Sequence, residues 1–76
     1  MHGEVSSSLY VALESQYLAE INKAKSTLLI YFNNSVGIGE HPQHLEEMDK
    51  LIENIVSNKD KLECLQKQFA SFNNLT

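Results

Sequence analysis

The sequence feature that most constrains the fold is the spacing of apolar residues between Leu45 and Phe72. The residues that recur three and four positions apart are Met48, Leu51, Ile55, Leu62, Leu65, Phe69 and Phe72. This spacing places their side chains on one side of a helix, as in the heptad pattern of coiled coils. Asn58 is the polar residue that interrupts this seam. The pattern therefore predicts a long amphipathic helix, over about residues 42–72, that packs against another helix.

A second helical pattern covers about residues 8–33. The residues that recur every seven positions are Tyr10, Tyr17, Ala24 and Tyr31, and between them lie Ile21 and Leu28. Residues 28–32 are typical of a strand, but we expect a helix because no second strand-like run exists to pair with them. The apolar stripe is broader than one partner helix can cover, which indicates self-association.

Helix-breaking residues separate the two patterns. Asn33 and Asn34 tolerate the left-handed conformation that ends helices, Gly37 and Gly39 permit positive φ, and Pro42 suits the first turn of a new helix. The sequence therefore predicts an all-α fold, a single helical-hairpin domain of residues 1–76 with an antiparallel helix pair and a turn at 34–41. Opposing positions in the two helices should then sum to roughly 75 or 76.

Two helices that meet along one line leave apolar strips in water, and pairing two hairpins into a four-helix bundle hides them. We therefore expect a homodimer, or a higher even oligomer. The residues expected at the oligomer interface are Leu18, Ile21, Leu28, Phe32, Met48, Ile55, Leu62 and Phe69.

The polar interruption of the seam is the candidate site. The predicted register places Tyr17 level with Asn58 and Lys59, so the Tyr17 hydroxyl could satisfy a buried Asn58. One interpretation is that Asn58 fixes register and oligomer state, as single seam asparagines do. The other is an interhelical pocket that binds a ligand, with residues Tyr10, Tyr17, Lys25, Asn58 and Lys59.

Other chemistry has little support in the sequence. His41 and His44 lie three apart at a helix start, but this spacing is not a recurrent ligand motif and favours a solvated first turn over a metal site. No nucleophile and base occur in a recognisable catalytic context. We therefore expect no enzymatic activity, no cofactor and no metal.

Charge and composition exclude further classes. Ten acidic side chains stand against six lysines, for a formal net charge of −4, which disfavours binding to a nucleic-acid duplex. No run of about 18 apolar residues exists, so we expect no membrane span. The single cysteine, Cys64, fits a reducing compartment, where we expect a reduced and partly buried side chain. We therefore expect a cytoplasmic protein.

The segment YFNNSVGIGEHPQHLEEMDKLIENIVSNKDKLECL resembles a block of short helical-hairpin proteins encoded by tailed bacteriophages. The resemblance covers about residues 20–69 and centres on the VGIGEHP-type turn. It implies a phage origin and action in the host cytoplasm, and it transfers no residue roles. Small phage proteins of this shape are often inhibitors of a host protein or oligomeric sponges that trap nucleotide signals.

Two functional hypotheses follow, from different classes. The first is an oligomeric protein-interaction module that binds and modulates a host factor. The alternative is an anti-defence sponge that sequesters a small nucleotide-type ligand in the interhelical pocket. A structural component of the virion is a third hypothesis.

Overall fold

The structure, a computed structural model, describes residues 4–34 and 42–73. Helix α1 is Glu4–Asn33 and helix α2 is Pro42–Gln68, followed by a 3₁₀ turn at Ala70–Phe72. The two helices pack against each other, and neither described range contains a strand. The prediction of an all-α two-helix hairpin is therefore confirmed, and residues 28–32 are helical.

The helix bounds differ from the prediction at both free ends of the hairpin, since α2 ends at Gln68 rather than near residue 72. Helix α1 begins at Glu4 rather than near residue 8, and its acidic first residue interacts favourably with the positive end of the helix dipole. Helix α2 begins at Pro42, as the fixed φ of proline favours for a first turn. The predicted turn residues 35–41, including His41, lie outside the described residues.

The C-terminal end of α2 tightens into the 3₁₀ turn. The Phe69 amide still donates to the Leu65 carbonyl at 3.0 Å, whereas the Phe72 amide donates to the carbonyl of Phe69, three residues back, at 3.0 Å. The tighter winding of a 3₁₀ turn rotates the following side chains relative to an α-helical continuation. This turn contacts α1, so the chain end folds against the first helix.

The core of the hairpin is a narrow seam. The buried residues are Tyr10, Ala24 and Leu28 of α1 and Asn58 and Leu65 of α2. All five belong to the heptad patterns seen in the sequence, so the sequence located the seam correctly. The half-buried seam positions Tyr17, Ile21, Met48, Leu51, Ile55 and Leu62 continue it along the helices.

Side-chain contacts between the helices fix their register. The Tyr31 hydroxyl donates to the Glu47 carboxylate, and the Tyr31 and His44 rings lie 5.5 Å apart between centroids. Toward the free ends, the Gln66 side-chain amide donates to the Glu14 carboxylate at 3.2 Å. The predicted register placed Tyr31 near Leu45, and the structure places its contacts on either side of that residue.

The hydrogen bond between Tyr31 and Glu47 makes the free energy of unfolding depend on pH in the alkaline range. Three effects raise the pKa of Tyr31 above its usual value of 10.0. In decreasing order, they are the hydrogen bond that the hydroxyl donates to Glu47, partial desolvation, and the negative charge of Glu47. A raised folded-state pKa gives stability that is complete below the unfolded pKa and is lost as the pH rises through the folded one. We expect Tyr31→Phe to remove this part of the pH dependence, measured by urea unfolding between about pH 9 and about pH 11.

Tyr17→Phe is the matched control, since the Tyr17 hydroxyl has no hydrogen-bond partner among the described residues. Its stability should fall with alkaline pH as steeply as that of the unmodified chain. Equal slopes for Tyr31→Phe and Tyr17→Phe would contradict the assignment.

Candidate functional site

A groove of about 520 Å³ lies between the first half of α1 and the end of α2. From α1 it is lined by Ser6, Leu9, Tyr10, Leu13 and Tyr17. From the C-terminal part of the chain it is lined by Lys61, Cys64, Leu65, Phe69 and Phe72. Its volume is within the range of about 300–1,000 Å³ that is common for small-molecule pockets.

Helix periodicity and the 3₁₀ turn together build this groove. The α1 lining residues recur three and four apart, so they share one side of the helix. Phe69 lies where α2 ends, and the Phe69 and Phe72 ring centroids lie 6.5 Å apart in a tilted arrangement. Tilted aromatic pairs at this separation attract each other, so the two rings form one apolar wall.

The lining is apolar except at a few points. Among the described residues of the lining, Lys61 is the single charged one. Within the described part of the chain, the ammonium group of Lys61 takes part in no ion pair, whereas Lys67 pairs with Glu63 at 2.8 Å on the exposed surface. The groove therefore offers a large apolar surface and one positive charge.

The antiparallel arrangement orders the groove along its length. Tyr17 and Lys61 lie at the inner end, and Ser6 and Phe72 lie at the open end of the hairpin. The eleven residue steps from Ser6 to Tyr17 correspond to about 16 Å of helix. The positive charge is thus at one end of a long apolar channel.

The structure brings together only part of the predicted ligand-binding set. Tyr10 and Tyr17 line the groove, but Lys25 and Lys59 are exposed and do not line it. Lys61 supplies the positive charge instead. Residues 59 and 61 are two apart, which is about 200° around a helix, so they lie on opposite sides of α2. This helical geometry was a signal that the prediction missed.

Asn58 is buried, as expected for a seam residue, but its partner is not Tyr17. Its side-chain amide donates to the Asn54 carbonyl at 2.8 Å and to the Asn54 side-chain oxygen at 2.6 Å. Both acceptors lie one turn earlier on the same helix. The amide nitrogen of Asn58 is therefore satisfied within α2, without a hydrogen bond to α1.

The hairpin has two long edges that differ in character. One edge carries the hydrogen bond between Glu14 and Gln66 and is here called the first edge. It contains two rows of residues spaced seven apart, one on each helix. These rows are Val11, Leu18, Lys25 and Phe32 on α1 and Leu45, Ile52, Lys59 and Gln66 on α2. Leu18, Phe32, Leu45 and Ile52 are 45–62% exposed, so much of this edge is apolar. The second edge carries the groove and the Tyr31–Glu47 hydrogen bond.

The residues predicted at an oligomer interface fall into three groups. Leu18 and Phe32 are exposed on the first edge. Ile21, Met48, Ile55 and Leu62 are half-buried in the seam, and Leu28 is buried between the two helices of one chain, which leaves it little surface for a second chain. Phe69 is exposed and lines the groove.

The remaining candidates from the sequence are the two histidines and the cysteine. His44 is half-buried with its ring against Tyr31, and His41 lies outside the described residues. Within residues 4–34 and 42–73, no group of three or more His, Cys, Asp or Glu is arranged to hold a metal ion. Cys64 is exposed in the groove lining, so the expectation of a partly buried thiol is wrong.

Comparison with known proteins adds no relative. No family model matches the chain, and no curated protein or solved structure matches it. The resemblance to phage hairpin proteins therefore stays a prediction. None of the described helices combines the length and apolarity that crossing a membrane requires.

Proposed function

We propose that this chain is a non-enzymatic protein-interaction module that acts as a homodimer. The observation that carries the proposal is the amount of surface that one hairpin leaves exposed. Its accessible surface is 5768 Å², whereas a compact monomer of 8.6 kDa is expected to expose about 4,700 Å². The excess of about 1,100 Å² resembles the roughly 800 Å² that each partner buries in a standard interface.

The first edge is the surface that we assign to the partner copy. Each helix contributes exposed apolar side chains to this edge, Leu18 and Phe32 from α1 and Leu45 and Ile52 from α2. Exposed apolar areas of this kind mark protein-interaction sites. An isologous pairing of two first edges would turn two hairpins into a four-helix bundle with a shared core.

A substitution in the first edge tests the proposal. Sedimentation velocity at about 50 µM should show a dimer for the unmodified chain, and Ile52→Glu should raise the dimer Kd by at least about a hundredfold, because two unpaired carboxylates would be buried in a symmetric interface. Circular dichroism of both chains checks that the helices persist.

Ile30→Glu is the matched control. Ile30 is 67% exposed and belongs to neither row of the first edge, so the same charge there should leave the dimer intact. A folded monomer for the unmodified chain at this concentration would overturn the proposal. Equal disruption by Ile30→Glu and Ile52→Glu would remove the first edge as the interface.

A second protein partner is the further part of the proposal. Residues outside the first edge would remain available to it in the dimer. Its assignment as a host factor rests on the phage resemblance alone. Nucleotide sequestration stays a prediction. Of the residues assigned to its pocket, Tyr10 and Tyr17 line the groove, whereas Lys25 and Lys59 do not.

A further inference from the structure

We propose that the groove at the open end of the hairpin binds a long-chain carboxylate, with its head group at Lys61 and its chain directed toward Phe72. The inference does not depend on dimer formation, since the groove lies along the second edge. It rests on the shape of the groove, its lining and the position of its one charge.

The lining selects the ligand class. Leu9, Leu13 and the Phe69–Phe72 wall offer apolar surface to the hydrocarbon chain of a ligand. Binding is favoured because it removes this apolar surface from water. No acidic side chain is among the described residues that line the groove, so an anion meets no like charge from them. A ligand with a long apolar chain and one negative charge therefore complements it.

The position of Lys61 selects the orientation. Lys61 is at the inner end, about 16 Å of helix from the open end, and its ammonium has no ion-pair partner within residues 4–34 and 42–73. A carboxylate at Lys61 would form a charge-assisted hydrogen bond. The chain would then extend over Leu13 and Leu9 toward Phe72.

Cys64 provides a direct measurement, because it is the single cysteine of the chain and lines the groove. The experiment measures alkylation of Cys64 by iodoacetamide, a neutral reagent, with and without dodecanoate below its micelle concentration. Bound dodecanoate should slow alkylation about tenfold when present at about ten times its Kd. The comparison ligands are acetate, which lacks the chain, and dodecyltrimethylammonium, which has the opposite charge; neither should protect Cys64 comparably.

Two lysine variants locate the head group. Lys61→Gln should raise the Kd of dodecanoate, measured from the protection of Cys64, about fivefold, as expected for one partly exposed ion pair. Lys59→Gln removes the same charge from the opposite side of α2 and should leave protection unchanged. Equal effects of the two variants would overturn the assignment of Lys61.

Three other results would overturn the proposal. Absence of protection by dodecanoate would remove the ligand. Equal protection by dodecyltrimethylammonium would show that only the apolar chain matters. Protection that grows with protein concentration in the absence of ligand would show that a second copy of the chain covers the groove. None of these results affects the dimer test at Ile52, which reports on the other edge.

Discussion

Replacing Leu28 with alanine is expected to lower the free energy of unfolding by about 2–4 kcal/mol, because the substitution removes buried methyl groups and leaves a cavity. Leu28 is 5% exposed and is one of only five buried residues in the described part of the chain. A core of this size contributes a few kcal/mol of net stability. We therefore expect Leu28→Ala to unfold in part at room temperature.

Urea unfolding followed by circular dichroism measures this loss. Both chains must be compared at the same concentration, since dimer formation adds to the apparent stability. Ile30→Ala is the control, because Ile30 is 67% exposed and its truncation should change stability by no more than about 0.5 kcal/mol. If Leu28→Ala were as mild as the control, the helices could not pack through the seam described here.

Substitutions at Asn58 should act in opposite directions. We expect Asn58→Leu to raise the free energy of unfolding by about 1–2 kcal/mol, since leucine adds apolar contact at a seam position that is 5% exposed. The lost hydrogen bonds are local to α2, and the half-buried Asn54 can bond to water instead. No partner on α1 is left unsatisfied.

Asn58→Asp should lower stability by about 2–3 kcal/mol. The substitution keeps the shape of the side chain but replaces its donor with an oxygen, which then faces the two acceptor oxygens of Asn54. Thermal unfolding of the two variants beside the unmodified chain gives both signs. Stabilisation by aspartate, or destabilisation by leucine, would contradict the hydrogen-bond geometry.

Sedimentation of Asn58→Leu tests the interpretation that this residue fixes the oligomer state. A shift to other oligomers would indicate that Asn58 specifies the assembly, as polar seam residues do in coiled coils. An unchanged assembly together with higher stability would leave the polar position without a structural role.

The sequence determined the helices and their seam. The recurrence of apolar residues at heptad spacing is a local property, and it was enough to assign the buried residues Tyr10, Ala24, Leu28 and Leu65 to the seam. Pro42 located the start of α2 because its ring fixes φ and removes a donor that a first turn does not need. The rejection of a strand at residues 28–32 followed from the lack of a pairing partner.

The tertiary structure decided which side chains share an edge and which share a pocket. The register gives the level of a residue along the hairpin, and Lys59 and Lys61 have nearly the same level but face opposite edges. The bond from Asn58 to Asn54 replaced the expected one to Tyr17, because an acceptor one turn away on the same helix is already in reach. Phe72 of the 3₁₀ turn lines the groove and the turn contacts α1, and heptad spacing does not encode this tighter winding at the end of α2.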